Sequence, residues 1–409
     1  MTAAHDRGLL FAARSLRLFG YGLISVILVL YLAELGLAEW RIGLLLSLTL
    51  VGDAALSLWI STHADRMGRR NMLIVGALLL GGAGLMFAST GSYWLLLLAA
   101  TIGVISPSGN EVGPFLSIEQ AALAHVVPAE EHTSTFAWYH LAGALATAVG
   151  ALAGGHMVDS LQGYGLSRLG SFRAVIAVYA ALGLVLAALF TRLTPAVEPT
   201  GINSDTRTPV LLGLHGSRGV VLKLSFLFAL DAFAGGFIVQ SIAVYWFHVR
   251  FGVSPSMLGT VFFGANLLAG LSALAAVPLA RRIGLIETMV LTHLPSNVLL
   301  MLVPLMPGLG SAVAVFLLRF SISQMDVPTR QAYVMSAVSP DERSAAAGVT
   351  GVARTAGAAI SPSLASTLIA VPGLMAAPFL LAGGLKVVYD VLIWRGFRRI
   401  RSPKQQALP

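Results

Sequence analysis

The chain has 409 residues, of which 56% are apolar and 11% are charged, and its mean hydropathy is +0.82. Soluble domains carry about 25% charged residues, so this composition excludes a soluble globular protein and indicates an integral membrane protein. The sequence contains no cysteine, which excludes disulfides, thiolate metal sites and a cysteine nucleophile.

Apolar stretches long enough to cross a hydrocarbon layer of ~30 Å as helices recur along the whole chain. They are continuously apolar instead of alternating, which favours helices over a β-barrel. We therefore predict an all-α integral membrane protein with twelve transmembrane helices. The predicted spans are 9–33, 41–63, 71–90, 93–126, 131–156 and 172–193 in the first half, and 220–247, 254–280, 286–305, 309–338, 342–369 and 373–396 in the second.

The formal charge is +8 at pH 7, and most of the 26 Lys and Arg residues fall on one side of the predicted membrane, together with the N-terminus. Arg14 and Arg17, near the start of the first span, are assigned to this side. An excess of basic residues marks the cytoplasmic side of multi-pass membrane proteins, so the charge requires no nucleic-acid partner. We predict a protein of a bacterial-type inner membrane with both termini in the cytoplasm.

The two halves of the sequence resemble each other. Residues 36–68 align without a gap on residues 252–284 when 216 is added to each number, and residues 119–131 resemble residues 330–343 at an offset of 211 or 212. The segment between the halves is rich in Pro, Gly, Thr and Ser, which is typical of a linker. We predict an N-terminal six-helix bundle at 1–193, a cytoplasmic linker at 194–219 and a C-terminal six-helix bundle with a basic tail at 220–409. Two bundles joined in this way can rock about a central cavity and give alternating access.

The sequence DRMGRR at residues 65–70 lies between the second and third predicted spans. It resembles the loop motif G-x-x-x-D-R-x-G-R-R/K of the major facilitator superfamily, although Ser61 stands where the first Gly is usual and His63 where an apolar residue is usual. The resemblance implies the twelve-helix fold of that family, with two pseudo-symmetric bundles. It also implies a cytoplasmic gate made by the motif, whose residues here are Asp65, Arg66, Gly68, Arg69 and Arg70. The alternative is that this basic turn only sets the topology.

Asp53 lies near the middle of the second predicted span. A carboxylate at that depth costs several kcal/mol unless it is paired, protonated or in contact with water, so it is a functional candidate. The family's second and eleventh helices meet between the bundles, which makes Arg354 of the eleventh span a possible partner that would bind and release Asp53 during transport. The alternatives are a static ion pair and a solvated cavity residue.

The fourth span contains SPSGNEVGPF at residues 106–115, where two prolines and two glycines predict a kinked or unwound helix. We predict that Asn110 and Glu111 line a substrate cavity at this interruption, with structural packing as the alternative. The tenth span is the repeat mate of the fourth. Pro328 interrupts it in the same way, beside the polar residues Gln324, Asp326 and Arg330.

The first, fourth, seventh and tenth helices line the cavity in the resembled family, so Asp231 of the seventh span is a further candidate. We predict Glu111 or Asp231 as the proton carrier, because removal from water favours the protonated form of an acid. Asp326 has Arg330 four residues further on and is predicted to be its ionised partner. Lys386 and Asp390 in the twelfth span are also four residues apart and are predicted to form a structural pair.

The segment GALAGG at residues 150–155 resembles the end of the G-P-x-x-G-G motif of the family's drug and proton antiporters, with Ala151 in place of the proline. Small residues also allow close helix packing, which is the alternative interpretation. We predict a secondary active transporter that works by alternating access and exports a small molecule in exchange for protons. The alternatives are a proton symporter that imports an organic nutrient and a membrane receptor that does not transport.

The sequence contains neither a recognisable nucleophile and base arrangement nor a Walker-type ATP motif, so we predict that the chain is not an enzyme. The expected partners are a small-molecule substrate, protons and the lipid bilayer, with no cofactor and no metal. The chain is predicted to act as a monomer. The charge of the substrate is left open, because both signs of charge lie near the predicted cavity.

Overall fold

The computed structural model describes residues 2–110, 115–128, 131–198, 217–339 and 342–397. The described part of the first half forms helices α1 (Thr2–Glu34), α2 (Glu39–Met67), α3 (Arg69–Ser89), α4 (Tyr93–Ile102), α5 (Phe115–Val126), α6 (His132–Gly163) and α7 (Arg168–Thr191). The second half forms α8 (Arg218–Gly236), α9 (Gln240–Phe251), α10 (Pro255–Ile283), α11 (Leu285–Leu302), α12 (Leu309–Phe320), α13 (Asp326–Ala337), α14 (Arg343–Ala370) and α15 (Ala377–Phe397). Each predicted span therefore corresponds to one helix or to two successive helices.

The helices have the length and composition of membrane-spanning segments. Among the described residues, nine helical segments are long and apolar enough to cross a membrane, and α4 and α12 are shorter apolar helices. No strand occurs in the described ranges. The prediction of an all-α membrane protein is confirmed, and the count of twelve spans stays a prediction.

Three of the predicted spans are interrupted. In the fourth, α4 ends at Ile102 and the described residues 103–110 are irregular, as Pro107 and the nearby glycines predict; α5 is described from Phe115 onward. In the tenth, the interruption lies at 321–325, before Pro328. The expectation that Pro328 itself breaks this helix is wrong, because it lies in the first turn of α13, where its missing N–H leaves no hydrogen bond unmade.

The seventh span is also interrupted, which the sequence did not lead us to expect. The α-helix α8 ends at Gly236, and α9 begins at Gln240. A Cβ atom at Gly236 would lie 2.6 Å from the carbonyl oxygen of Ala358 in α14. Glycine is therefore needed here for close helix packing.

Contacts divide the chain into two compact units. The first unit comprises residues 1–204 and 239–266, and the second comprises residues 205–238 and 267–409. In the first unit α1 packs on α6 and α7, α3 packs on α7, and α9 contacts α1. In the second unit α8 packs on α14 and α15, and α11 packs on α15 and α13. The domain boundaries and the linker predicted from the sequence stay a prediction.

The two units repeat one close helix contact. In the first unit a Cβ atom at Gly22 of α1 would lie 2.1 Å from the carbonyl oxygen of Thr147 in α6. Adding 214 to Gly22 and 211 to Thr147 gives Gly236 and Ala358, the contact between α8 and α14 described above. This agreement supports the internal duplication at the level of side chains and backbone.

Gly22→Ala is expected to destabilise the protein by more than the ~1–3 kcal/mol that overpacking usually costs, because the added methyl group meets backbone and not a movable side chain. Gly82→Ala in α3 is the matched control, since nothing lies within 4 Å of a Cβ atom there. Thermal unfolding of both variants in the same detergent measures the difference. Equal midpoints for the two variants would contradict the close approach of α1 and α6.

Candidate functional site

The second unit contains a cluster of charged side chains centred on Asp231 of α8. Lys386 of α15 donates to Oδ1 of Asp231 over 2.6 Å, and Arg330 of α13 donates from Nη1 to Oδ2 over 3.1 Å. Arg354 of α14 donates from its own Nη1 to Oδ2 over 3.5 Å. One carboxylate therefore connects three cations that belong to three different helices.

Two further carboxylates complete this cluster, which we call the Asp231 cluster. Asp326 accepts a hydrogen bond of 2.9 Å from Arg330, four residues along the same helix. Asp390 of α15 contacts Nδ1 of His293 over 2.7 Å and accepts from Asn297 over 2.9 Å. The other ring nitrogen of His293, Nε2, lies 3.5 Å from Nζ of Lys386 and 3.8 Å from Oδ1 of Asp231. His293 thus connects Asp390 to the centre of the cluster.

The charges of the Asp231 cluster balance when His293 is neutral. A single charge buried away from water costs several kcal/mol, and such a cost is offset only by opposite charges and hydrogen bonds. The cluster holds three carboxylates and three cations, namely Asp231, Asp326 and Asp390 with Arg330, Arg354 and Lys386. Neutralising Asp231 would therefore leave three cations with two carboxylates.

The members differ in how far solvent reaches them. The side chains of Asp231 and Asp390 are 5% and 0% exposed, and that of Lys386 is 11% exposed. The side chain of Arg354 is 35% exposed, while Arg330 is 7% exposed. The accessible part of the cluster is therefore a cation.

The structure brings four of the sequence-predicted residues together, namely Asp231, Asp326, Arg330 and Arg354. Asp326 pairs with Arg330 as predicted. Lys386 and Asp390 do not form the expected pair within α15. Lys386 contacts Asp231, and Asp390 contacts His293 and Asn297, because α8 and α11 offer closer partners than the neighbouring turn does.

Sequence reasoning missed the roles of Lys386, His293 and Asn297. The signal was present in α11, where His293 and Asn297 lie four residues apart and so share one helix face within an otherwise apolar segment. Gln324 lies in the interruption between α12 and α13, and its backbone N–H donates to Oγ of Ser272 over 3.3 Å. Its predicted place in a substrate cavity stays a prediction.

A second buried charge cluster lies in the first unit. Arg17 of α1 donates two hydrogen bonds of 2.6 and 2.7 Å to the carboxylate of Glu119 in α5, and Tyr139 of α6 also donates to that carboxylate. The guanidinium of Arg14 lies over the ring of Tyr139, 4.4 Å from its centre, and 3.4 Å from Nδ1 of His140. We call this group the Arg17 cluster.

Arg14 and Arg17 are buried within the first unit, and their assignment to the cytoplasmic side of the membrane stays a prediction. The two residues are 3% and 2% exposed, and Arg17 has a fully buried carboxylate partner. Basic residues at the start of an apolar span resemble a positive flank when the sequence is taken alone. The counter-ion of Arg17, Glu119, is about a hundred residues away and becomes a neighbour only through the fold.

The two clusters are related by the internal repeat with their charges exchanged. Adding 214 to Arg17 gives Asp231, and adding 211 to Glu119 gives Arg330. The first unit thus pairs an arginine of α1 with a glutamate of α5, and the second pairs an aspartate of α8 with an arginine of α13. Both units therefore have an ion pair at these two positions, although the residue at each position differs between the units.

The remaining predicted membrane residues are described only in part. Asn110 is exposed, in the irregular segment after α4, where its carbonyl oxygen accepts from Oγ of Ser106 over 2.8 Å. Glu111 lies outside the described residues. Asp53 is half-buried in α2. Its pairing with Arg354 stays a prediction.

The arginines of the loop motif bind the segment that follows α7. The backbone N–H groups of Arg69 and Arg70, in the first turn of α3, donate to the carboxylate of Glu198 over 2.8 and 3.1 Å. The side chain of Arg70 also donates to the carbonyl oxygen of Thr191 over 2.5 Å. Gly68 has φ of 91°, which lets α2 end and α3 begin within one residue. The side chains of Asp65 and Arg66 lie outside the described part, and the gating role stays a prediction.

Glu198→Gln is expected to lower the free energy of unfolding by about 1 kcal/mol, because a carboxylate at a helix N-terminus both accepts from otherwise unpaired N–H groups and interacts favourably with the helix dipole. The control is Glu34→Gln, which removes a carboxylate that pairs with a half-exposed arginine 3.2 Å away and should cost less. Thermal unfolding in detergent compares the two. A larger loss in the control would contradict the assignment of Glu198 as the cap of α3.

The small residues of the GALAGG segment serve close packing within the first unit. A Cβ atom at Gly150 would lie 2.0 Å from the carbonyl oxygen of Phe19, and one at Gly155 would lie 2.1 Å from that of Pro255. Packing alone therefore explains both glycines, which was the alternative to a specific antiporter motif.

Polar contacts also join α9 to α1. Gln240 donates to Oγ of Ser25 over 2.7 Å, and Oγ of Ser241 donates to the carbonyl oxygen of Ser25 over 2.7 Å. The backbone N–H of Ser241 donates to the carbonyl oxygen of Pro107, over 3.0 Å, in the interruption between α4 and α5. A backbone N–H of the seventh span and a backbone carbonyl of the fourth thus form a hydrogen bond where both spans are interrupted. Buried backbone groups need such partners.

A sequence model of the Major Facilitator Superfamily matches residues 10–362. The chain belongs to the Major Facilitator Superfamily. Members of this family are secondary transporters, so this MFS chain is a membrane transporter and not an enzyme.

Two proteins from other organisms are similar to this chain in sequence. An uncharacterized membrane protein of Saccharomyces cerevisiae, YJR124C, is 29% identical over 420 residues, which cover 96% of this chain and 94% of that protein. The quinolone resistance protein NorA of Staphylococcus aureus is 27% identical over 119 residues, which are 29% of each chain.

Solved structures share the fold at low sequence identity. A mutant of the nucleoside transporter NupG superposes with a TM-score of 0.78 at 14% identity and covers 96% of this MFS chain and 100% of its own. A bacterial homologue of the lysosomal transporter Spinster has a TM-score of 0.76 at 16% identity and covers 98% and 99%. At such identities the superpositions establish the fold alone.

Proposed function

We propose that this transporter couples the movement of a small molecule to protons, and that the Asp231 cluster is the coupling site. The observation that supports this most is the sharing of one buried carboxylate by cations from α13, α14 and α15. The three cations favour the ionised form of this carboxylate, so Asp231 takes up a proton when one of them is drawn away from it. That proton then removes the common partner of three helices. Intramembrane acids with such partners typically mark ion pathways.

The proposed coupling works through a change in relative stability. When Asp231 is ionised, its charge holds α13, α14 and α15 against α8 through direct contacts. When it is neutral, these contacts weaken and the cations repel one another, so a different arrangement of the helices gains stability. A ligand shifts such an equilibrium only by as much as it prefers one arrangement. A proton and a substrate that act on the same carboxylate are therefore coupled.

For the direction of transport we propose export in exchange for protons. The similarity to the quinolone resistance protein NorA, although limited to 119 residues, supports this direction. Import by proton symport is the second candidate, and the exposure of Arg354 favours it. A substrate anion bound there would add one negative charge, which a proton bound to the cluster would compensate.

We propose a monomer in a bacterial-type inner membrane with both termini in the cytoplasm. Asp65 and the arginines of the loop motif form the gate of the proposed cycle, and Asn110, Glu111 and Gln324 contribute to the substrate cavity. Asp53 and Arg354 pair in one state of this cycle.

The proposal is tested in proteoliposomes that contain the purified full chain and carry an imposed pH gradient. A quinolone, ethidium, uridine and benzoate serve as labelled probes that differ in charge. We expect the gradient to drive at least one probe, and a protonophore to stop this flux. Exchange of protons for the probe supports export, whereas movement of both in the same direction supports the symporter. Probe flux that neither the gradient nor the protonophore alters would contradict proton coupling.

A further inference from the structure

The Asp231 cluster presents a cation, and not an acid, to an approaching ligand. The side chain of Arg354 is 35% exposed, whereas the side chain of Asp231 is 5% exposed. The other two cations of the cluster, Lys386 and Arg330, are 11% and 7% exposed. A ligand that approaches the cluster therefore meets the side chain of Arg354 first.

Arg354 is also the cation that Asp231 holds least closely. Oδ1 of Asp231 accepts from Lys386 over 2.6 Å, and Oδ2 accepts from Arg330 over 3.1 Å. Arg354 reaches Oδ2 only at 3.5 Å, near the limit of a hydrogen bond. If Arg354 turned to another anion, each oxygen of Asp231 would keep one closer cation. The departure of Arg354 would therefore leave the charge of Asp231 compensated by Lys386 and Arg330.

The chemistry of a guanidinium defines what it would bind. Arginine presents five N–H donors in a planar fork, which matches the two oxygens of a carboxylate. Among the described residues of the cluster, Arg354 contacts Asp231 through Nη1. A single accessible cation compensates one negative charge, which fits a monoanion better than a phosphate dianion.

A cationic substrate fits this arrangement poorly. It would have to reach Asp231, whose carboxylate is 5% exposed and already contacted by three cations. Each of these cations would repel it at short range.

We propose that Arg354 binds the substrate and that the transported molecule is an organic acid carrying one carboxylate. The substrate carboxylate takes the place of Asp231 as the partner of Arg354. This inference rests on the proposed transport at the Asp231 cluster and adds the chemical class of the substrate.

The test measures binding by the purified full chain in detergent, in the absence of any pH gradient. The ligands are matched sets that share a carbon skeleton and differ in charge, such as benzoate, benzamide and benzylamine, with phenyl phosphate as a dianionic comparison. Each ligand is scored by its shift of the thermal unfolding midpoint as a function of concentration. We expect at least one carboxylate to raise the midpoint where its amide, amine and phosphate counterparts do not.

The Arg354→Gln variant is expected to bind that carboxylate at least tenfold more weakly, and Arg354→Lys is expected to recover part of the affinity. Arg7→Gln is the control, because Arg7 is a half-exposed arginine in the other unit whose partner is Glu131. If Arg354→Gln does not fold, the charge preference of the unmodified chain decides the question alone. Three results would overturn the proposal. They are the binding of an amine, amide or phosphate in preference to every carboxylate, the absence of binding of any carboxylate, and full carboxylate affinity in Arg354→Gln. A chain that binds carboxylates through Arg354 but moves them independently of protons would contradict the proposed coupling and leave this inference intact.

Discussion

Asp231→Asn is expected to abolish most pH-gradient-driven transport and to lower the stability of the protein by about 3–5 kcal/mol. Removing one partner from a buried ion pair leaves the opposite charge uncompensated, and here it leaves three cations around a neutral amide. Probe flux in proteoliposomes measures the first effect, and thermal unfolding in detergent measures the second. Both are compared with the unmodified chain at equal protein content.

The double variant Asp231→Asn with Lys386→Gln separates the two effects. It removes one charge of each sign, and Lys386 is the closest cation to Asp231. We expect stability to recover above that of Asp231→Asn alone, because the charge balance is restored. Transport should stay low, since the coupling carboxylate is missing. Recovery of pH-driven flux together with stability would show that Asp231 has only a structural role.

Glu119→Gln is expected to destabilise the first unit by about 3–5 kcal/mol. Glu119 and Arg17 are joined by two short hydrogen bonds, and neither side chain is exposed. Without the carboxylate, the buried guanidinium loses its counter-ion and Tyr139 loses its acceptor. Thermal unfolding in detergent measures the loss.

Two controls accompany this measurement. Glu131→Gln removes one partner of the pair with Arg7, whose side chains are 49% and 55% exposed, and should cost no more than about 1 kcal/mol. Replacement of both buried residues, Arg17→Met with Glu119→Leu, should destabilise less than Glu119→Gln alone, because apolar groups leave no buried charge behind. Equal losses for the buried and the exposed pair would contradict the importance of the Arg17 cluster.

Much of the fold could be predicted because membrane helices are recognisable in the sequence as long apolar runs. An apolar run must be long enough to cross the bilayer, and its backbone must satisfy its own hydrogen bonds. The interruption in the fourth span was predictable for the same reason, since Pro107 and the nearby glycines weaken a helix. The interruption after Gly236 was not predictable, because the seventh predicted span contains no proline. The close approach of α14 to Gly236 becomes visible only in the fold.

The candidate site could be predicted only in part. Asp231 and Arg330 stand out because charged residues are rare in apolar spans. The partner of Arg330 within its own helix, Asp326, was predictable from their spacing. The tertiary partners were not, since the same spacing suggested a pair of Lys386 with Asp390, whereas the fold supplies partners from other helices for both. The depth of a residue in the membrane can be inferred from the sequence. Which neighbouring helix its side chain contacts depends on how the helices pack.

The internal repeat places the two buried ion pairs at matched positions, although the residue types at these positions differ. Arg17 aligns with Asp231 and Glu119 with Arg330, so an alignment of the halves pairs residues of opposite charge. A comparison of residue types scores each position as a mismatch. The pair as a unit is nevertheless retained, because either order of charges compensates a buried ion.

Binding-linked proton exchange tests the central claim, the coupling of protons to substrate at the Asp231 cluster, most directly. The purified full chain is placed in weakly buffered detergent solution, and the pH change is recorded when a ligand identified by the thermal-shift screen is added. The account predicts that binding takes up or releases protons in the unmodified chain, and that the double variant Asp231→Asn with Lys386→Gln exchanges none at saturating ligand. Ligand binding without any proton exchange, or the same exchange in the double variant, would contradict it.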